Sequence, residues 1–209
     1  MDIYWISATE ISRDSFGGKR FYCLLSIRLT MSELDEINEL IVKHRFEEYK
    51  WLNAKDIIVA QWVRFKCMFG CRSYGQKASC PPNTLSVNEC REFINDFEKA
   101  IIFHFAVKLE RPEDRYEYCT RLNERLLDLE REIFLAGYYK AFLLFLDECR
   151  LCKECKKLRN KCEDKRRSRP TAEGLGVDVF TTARNCGYPI EVLQDFDKVM
   201  NRYAFILIE

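Results

Sequence analysis

A chain of 209 residues that is 47% hydrophobic and 32% charged can bury a core of its own and does not rely on disulfides to fold. Its net charge of +1 supplies no global attraction to nucleic acid or to an anionic membrane. No run of about 18 apolar residues is present to span a bilayer. The opening Met1-Asp2-Ile3-Tyr4-Trp5 also lacks the basic-then-apolar pattern of a secretory signal, so a cytoplasmic protein is expected.

In chain order, the pattern predicts strands over 3–6 and 21–29 joined by a turn at Gly17-Gly18. Thr30-x-x-Glu33 reads as a capping box that opens a helix with Leu34, Ile37, Leu40 and Ile41 on one face. Residues 56–65 read as a strand leading into a first group of cysteines. A second capping box, Ser86-x-x-Glu89, opens a helix with Val87, Cys90, Phe93, Ile94 and Phe97 along one stripe. Residues 100–107 form a buried strand. The longest helix starts at Pro112 and ends near Gly137, with Tyr116, Cys119, Leu122, Leu126, Leu129 and Ile133 as its apolar stripe. Residues 140–146 are another buried strand and run directly into a second group of cysteines. The RPTAE segment at 169–173 reads as a helix start. Residues 179–185 form a short helix stopped by Gly187, Pro189 opens one more, and 203–208 close the chain as a strand. This order predicts an α+β or α/β fold, a central sheet with helices packed on it and two cysteine-rich metal-binding loops. A single metal-binding domain is expected over 1–209, with 1–55 as a candidate small N-terminal lobe and 56–209 as the cysteine-rich core region.

Eleven cysteines in a chain expected in a reducing compartment point to ligation, redox chemistry or core packing. Cys149, Cys152, Cys155 and Cys162 fall within fourteen residues as CxxCxxC plus one. A cubane needs four thiolates converging on a compact inorganic core, and consecutive CxxC steps let a loop wrap it with amides aimed at the sulfurs. An iron–sulfur cluster, 4Fe-4S ahead of other types and one or two in number, is therefore the expected cofactor. Zinc is the alternative, although structural zinc usually draws two CxxC knuckles a dozen or more residues apart. Cys162 precedes Glu163, whereas the fourth cysteine of ferredoxin-type loops is closer and precedes proline.

Between residues 150 and 169 there are ten Lys or Arg and three Asp or Glu. A solvated loop is the plain reading of such a run. Cations here would also stabilise an anionic cluster and steer an acidic redox protein partner or an anionic substrate. No aromatic residues interleave them, so a nucleic-acid role is not expected.

The first group is Cys67, Cys71 and Cys80. Gly70 and Gly75 permit tight turns, and Pro81 holds Cys80 extended, which fixes the direction in which its thiol leaves the loop. Cys90 is a candidate fourth ligand, but its place on a helix stripe favours core packing. Without it, this group would leave a metal with an open position, and Arg72, Ser73 and Tyr74 would be the nearest polar groups. A third arrangement has both loops converging on one metal. Cys23, Cys119 and Cys186 read as core, and His44 and His104 as structural residues on apolar faces. No P-loop, dinucleotide fingerprint or nucleophile elbow is present.

Residues 64–82 (RFKCMFGCRSYGQKASCPP), 148–162 (ECRLCKECKKLRNKC) and 169–190 (RPTAEGLGVDVFTTARNCGYPI), in this order, resemble a family of predicted metal-binding proteins of unknown function frequent in anaerobic bacteria and archaea. The resemblance implies cysteine-bound metal, iron–sulfur above zinc, through Cys67, Cys71, Cys80, Cys149, Cys152, Cys155 and Cys162. Related sequences often have proline soon after the last of these, where this chain has Glu163-Asp164-Lys165. Three readings stay open: a redox or electron-transfer protein, an enzyme with an open iron on three cysteines, and a zinc-stapled interaction module.

Overall fold

The computed structural model describes residues 31–195 and 198–209. The strands expected over 3–6 and 21–29, and Cys23, lie outside the described residues. Among the described residues, four antiparallel strands form one sheet: β1 (Tyr49–Asn53), β2 (Lys99–Val107), β3 (Phe142–Leu144) and β4 (Met200–Ile208), in the order β1-β2-β4-β3. The fold is mixed α and β, as expected.

The two long central strands are apolar almost throughout because both faces of the sheet are covered. One face, with Ile101, Phe103, Leu143, Phe145, Ala204, Ile206 and Ile208, packs on α1 (Met31–Lys43) and α4 (Asp114–Leu135). The other, with Ala100, Ile102, Leu144, Phe205 and Leu207, packs on α3 (Val87–Asn95), α5 (Val179–Asn185) and the segment 172–179. Alternation along each strand therefore sends successive side chains into two separate cores.

The expected stripes are the buried ones. Ile37 and Ile41 of α1 are fully buried, as are Leu126, Leu129 and Ile133 of α4. The capping box at α3 forms in full, with Glu89 N–H on Ser86 Oγ at 3.3 Å and Ser86 N–H on Glu89 Oε2 at 2.9 Å. Helix α5 spans the expected residues and is capped by Asp178, whose Oδ1 accepts the Thr181 N–H at 3.0 Å. His104 is a satisfied structural residue. It lies between the Glu48 carboxylate and Asn201 Oδ1 and stacks on Tyr203 with ring centroids 5.1 Å apart.

Three expectations are corrected. The strand over 56–65 does not form: a 3-10 turn at Ala54–Asp56 and an isolated bridge from Val59 to Val177 lead into helix α2 (Gln61–Gly70). The apolar content of 56–65 suggested a strand, but Val63 is the one buried side chain of α2, while Trp62, Phe65, Met68 and Phe69 lie at its exposed surface. The strand over 140–146 shortens to Phe142–Leu144, because Phe145 leaves β4 to pair with Thr171. No helix follows Pro189 among the described residues. None of the described helices is long and apolar enough to cross a membrane.

Candidate metal centre

The loop carrying Cys149, Cys152, Cys155 and Cys162 is pinned at its neck by the core. Strand β3 is a sheet edge, and buried side chains of α4 take its outward amides. Leu143 N–H donates to Glu130 Oε1 at 2.8 Å, and Leu146 N–H to Asn123 Oδ1 at 3.2 Å. On the return path, Phe145 N–H donates to the Pro170 carbonyl at 2.8 Å, and Arg169 Nε meets the same Glu130 oxygen at 2.8 Å. Residues 146–169 thus form a closed excursion whose two arms meet at one buried carboxylate.

Inside this excursion the four cysteines line one small cavity, together with Ala78, Ser79, Asp164 and Ser168. The first cysteine loop touches the second here. Ala78 N–H donates to Cys155 Sγ at 3.3 Å, and Asn83 Nδ2 donates to the carbonyls of Lys77 (3.1 Å) and Lys157 (2.7 Å). The four thiols are half-buried, and Lys153, Lys156, Lys157, Arg159, Lys161, Lys165, Arg166 and Arg167 stand exposed around them.

Cys67, Cys71 and Cys80 meet elsewhere. Cys67 lies in the last turn of α2 and Cys71 caps it, its N–H donating to the Cys67 carbonyl at 3.2 Å. Gly75 adopts a left-handed φ of 68°, which a side chain would disfavour, and its N–H donates to the Pro81 carbonyl at 2.8 Å. That turn returns Cys80 to the other two. The three thiols line a cavity of about 740 Å³ whose other walls include Trp62, Asp147, Glu148, Thr171, Glu173 and Arg202. Gly174 keeps the turn at 171–174 tight: its N–H donates to Thr171 Oγ1 at 3.0 Å, and a Cβ there would crowd the same oxygen at 3.2 Å.

The two cavities are neighbours that share their walls. Ala78 and Ser79 line the small one and Cys80 the large one; Cys149 lines the small one and Asp147 and Glu148 the large one. No thiol lines both cavities: Cys67, Cys71 and Cys80 line the large one, and Cys149, Cys152, Cys155 and Cys162 the small one. Among the described residues, no group of three or more His, Cys, Asp or Glu side chains is placed so that it could hold a metal ion. Cys90 does not line the cavity of the three thiols: it is fully buried, with its Sγ 3.6 Å from the Leu85 carbonyl. Cys119 lies on the buried face of α4, and Cys186 packs at the edge of the opposite core.

Burial sets the protonation of this region. Burial first, then Cys71 and Glu173, pushes the Cys67 thiol up to about 11, with Arg64 opposing. Burial, then Cys71 and Glu148, pushes Cys80 up to about 12. Both keep their protons at neutral pH, and ligation requires their release. Burial raises Asp147, aided by Glu148. Burial opposes ionisation of Glu148 as well, but the hydrogen bond with Asp147 and the Arg150 guanidinium outweigh it and hold Glu148 down.

The donor set is soft, an amide already points at one sulfur, and the Ser168 Oγ is buried without a partner. These features fit a sulfur-ligated metal centre. Asp147, Arg202 and Ser168 were not singled out from the sequence, and Glu173 was read only as part of a helix start. Asp147 and Ser168 flank cysteines or their loop exit, which is a usable signal. Glu173 and Arg202 reach the cavity only through the tertiary fold.

No curated protein and no solved structure matches the chain significantly. A family described as predicted metal-binding protein (DUF2284) matches residues 50–208, which takes in both cysteine loops and every described strand but the first residue of β1. The chain belongs to this family of predicted metal-binding proteins.

Proposed function

We propose that this protein binds iron–sulfur clusters and works in electron transfer, alone or as an accessory to a redox enzyme. The observation that carries this reading is the single cavity lined by Cys149, Cys152, Cys155 and Cys162, with the Ala78 amide donating to Cys155 Sγ. Amide-to-sulfur hydrogen bonds and half-buried thiolates are the means by which proteins hold and tune such clusters. A 4Fe-4S core at this loop would supply one-electron redox chemistry. The protein's own part is to bind it, shield it and set its potential. The test is anaerobic purification followed by iron, acid-labile sulfide and zinc analysis, with reduction by dithionite. Iron and sulfide in roughly equal amounts, with reversible bleaching of visible absorbance, is the expected result. Stoichiometric zinc without iron, or absorbance that does not bleach, sinks the reading in favour of a zinc-stapled module.

The exposed cations around the loop support an acidic redox protein as partner. Electron exchange with an acidic carrier should slow steeply as ionic strength rises, because exposed charges are screened within about 8 Å at physiological salt. A rate indifferent to salt would remove the partner from the proposal.

A second reading is favoured by the larger cavity. Three thiols facing about 740 Å³ of space leave room for a small molecule beside a metal with an open position, which makes Cys67, Cys71 and Cys80 the place where an enzyme activity would reside. Cyanide or a small thiol would then perturb the spectrum of that centre alone.

A further inference from the structure

Ser168 sits just before the neck of the second cysteine loop. It exposes only 4% of its surface, and its Oγ has no hydrogen-bond partner. Its backbone is fixed, with its N–H on the Asp164 carbonyl at 3.0 Å, and it lines the same cavity as the four thiols. A hydroxyl buried in this way costs stability unless something accepts its proton. In a charged, solvent-exposed loop an unsatisfied serine has no packing reason to be preferred over alanine. The side-chain acceptors that share its cavity are the four sulfurs, the Ser79 hydroxyl and the Asp164 carboxylate, and that carboxylate already takes the Arg167 N–H at 3.2 Å and lies 3.7 Å from the Arg167 guanidinium.

We propose that the Ser168 hydroxyl donates a hydrogen bond to a sulfur of the centre bound by Cys149, Cys152, Cys155 and Cys162, and thereby raises its reduction potential. The inference rests on the iron–sulfur reading above. Reduction adds one electron to the centre and increases negative charge on its sulfurs. A donor aimed at one of them therefore stabilises the reduced form more than the oxidised form. The Ala78 amide acts on Cys155 Sγ from the other loop, so two chain segments supply donors to one centre. Ser168 is a positioning and tuning residue and ligates nothing itself.

The two states of the protein should respond to Ser168→Ala in opposite ways. The metal-free protein loses an unsatisfied buried hydroxyl, so its stability is unchanged or higher. The loaded protein keeps its iron and sulfide, but its midpoint potential shifts to more negative values, while Ser168→Thr stays at the wild-type potential. If Ser168→Ala does not assemble, Ser168→Thr and Ser168→Val provide the same comparison in side chains of one shape with and without the hydroxyl. A potential that is the same with and without the hydroxyl overturns the proposal while leaving the iron–sulfur reading in place. A wild-type protein that carries zinc and no iron overturns both, and metal analysis distinguishes the two failures.

Discussion

Replacing Cys155 by serine should abolish the centre at 149–162 and leave any centre at Cys67, Cys71 and Cys80 spectroscopically intact. Replacing Cys67 by serine should do the reverse. The expectation follows from the separation of the two cavities, each lined by its own set of thiols. Serine is a harder and less easily ionised donor than cysteine, and a soft metal centre loses a ligand in the exchange. Cys155 also accepts the Ala78 amide, so the substitution weakens the contact through which the two loops touch. The loop itself should persist, because its neck is held by Phe145 and Pro170 rather than by the cysteines. Iron, sulfide and the visible spectrum per chain provide the measurement, with near-complete loss of one centre in each variant. The Cys67→Ser protein should in addition lose any response to cyanide. Cys90→Ser and Cys119→Ser are the controls: both thiols are buried away from the cavities, so stability should drop without loss of metal. Loss of both centres in either single variant would mean that the two loops share one site, against the geometry.

Much of this arrangement was readable in the chain because it depends on local periodicity. The stripes of α1, α3 and α4 recur at helical spacing, and β2 and β4 are apolar runs of strand length flanked by polar residues. Strand β1 was not read, because it is short and half-exposed at the sheet edge, where neither alternation nor a continuous apolar run is required. Helix α2 was misread for a related reason. It buries one side chain, Val63, and is anchored at a distance by Arg64, which donates to the carbonyls of Leu85 and Gly174. The CxxCxxC spacing pointed to one cavity because ligands close in sequence cannot lie far apart in space. Asp147, Glu173 and Arg202 come from three separate segments, and no spacing rule could place them beside Cys67 and Cys80. Glu130 and Asn123 interrupt the buried sector of α4 seven residues apart, hence on the same face. Two polar residues in register on an apolar face are a legible sign of a partner across the core.

That pair leads to the largest expected effect on stability, at Glu130. Its side chain is buried at 4% exposure, and one of its oxygens accepts both the Leu143 N–H and Arg169 Nε, each at 2.8 Å. Glu130→Ala removes both acceptors at once. It leaves an edge-strand amide unpaired and a mostly buried guanidinium without its counter-charge. Breaking a buried pair from one side costs about 3–5 kcal/mol, a large share of the stability of a domain this size. Glu130→Gln should cost less, since the amide oxygen can still take the Leu143 N–H while only the charge is lost. Replacing Glu130 and Arg169 together with leucine should also cost less than Glu130→Ala, because no orphaned charge remains. Urea unfolding of the metal-free proteins measures all three. The same carboxylate joins the arm entering the cysteine loop to the arm leaving it. Glu130→Ala should therefore also accelerate metal loss to a chelator, since local opening of the neck releases Cys149 and Ser168 together. If unfolding is easier but metal loss is unchanged, the neck supports the fold and not the site. If both change in proportion, the helix opposite the sheet is what holds the cysteine loop in shape.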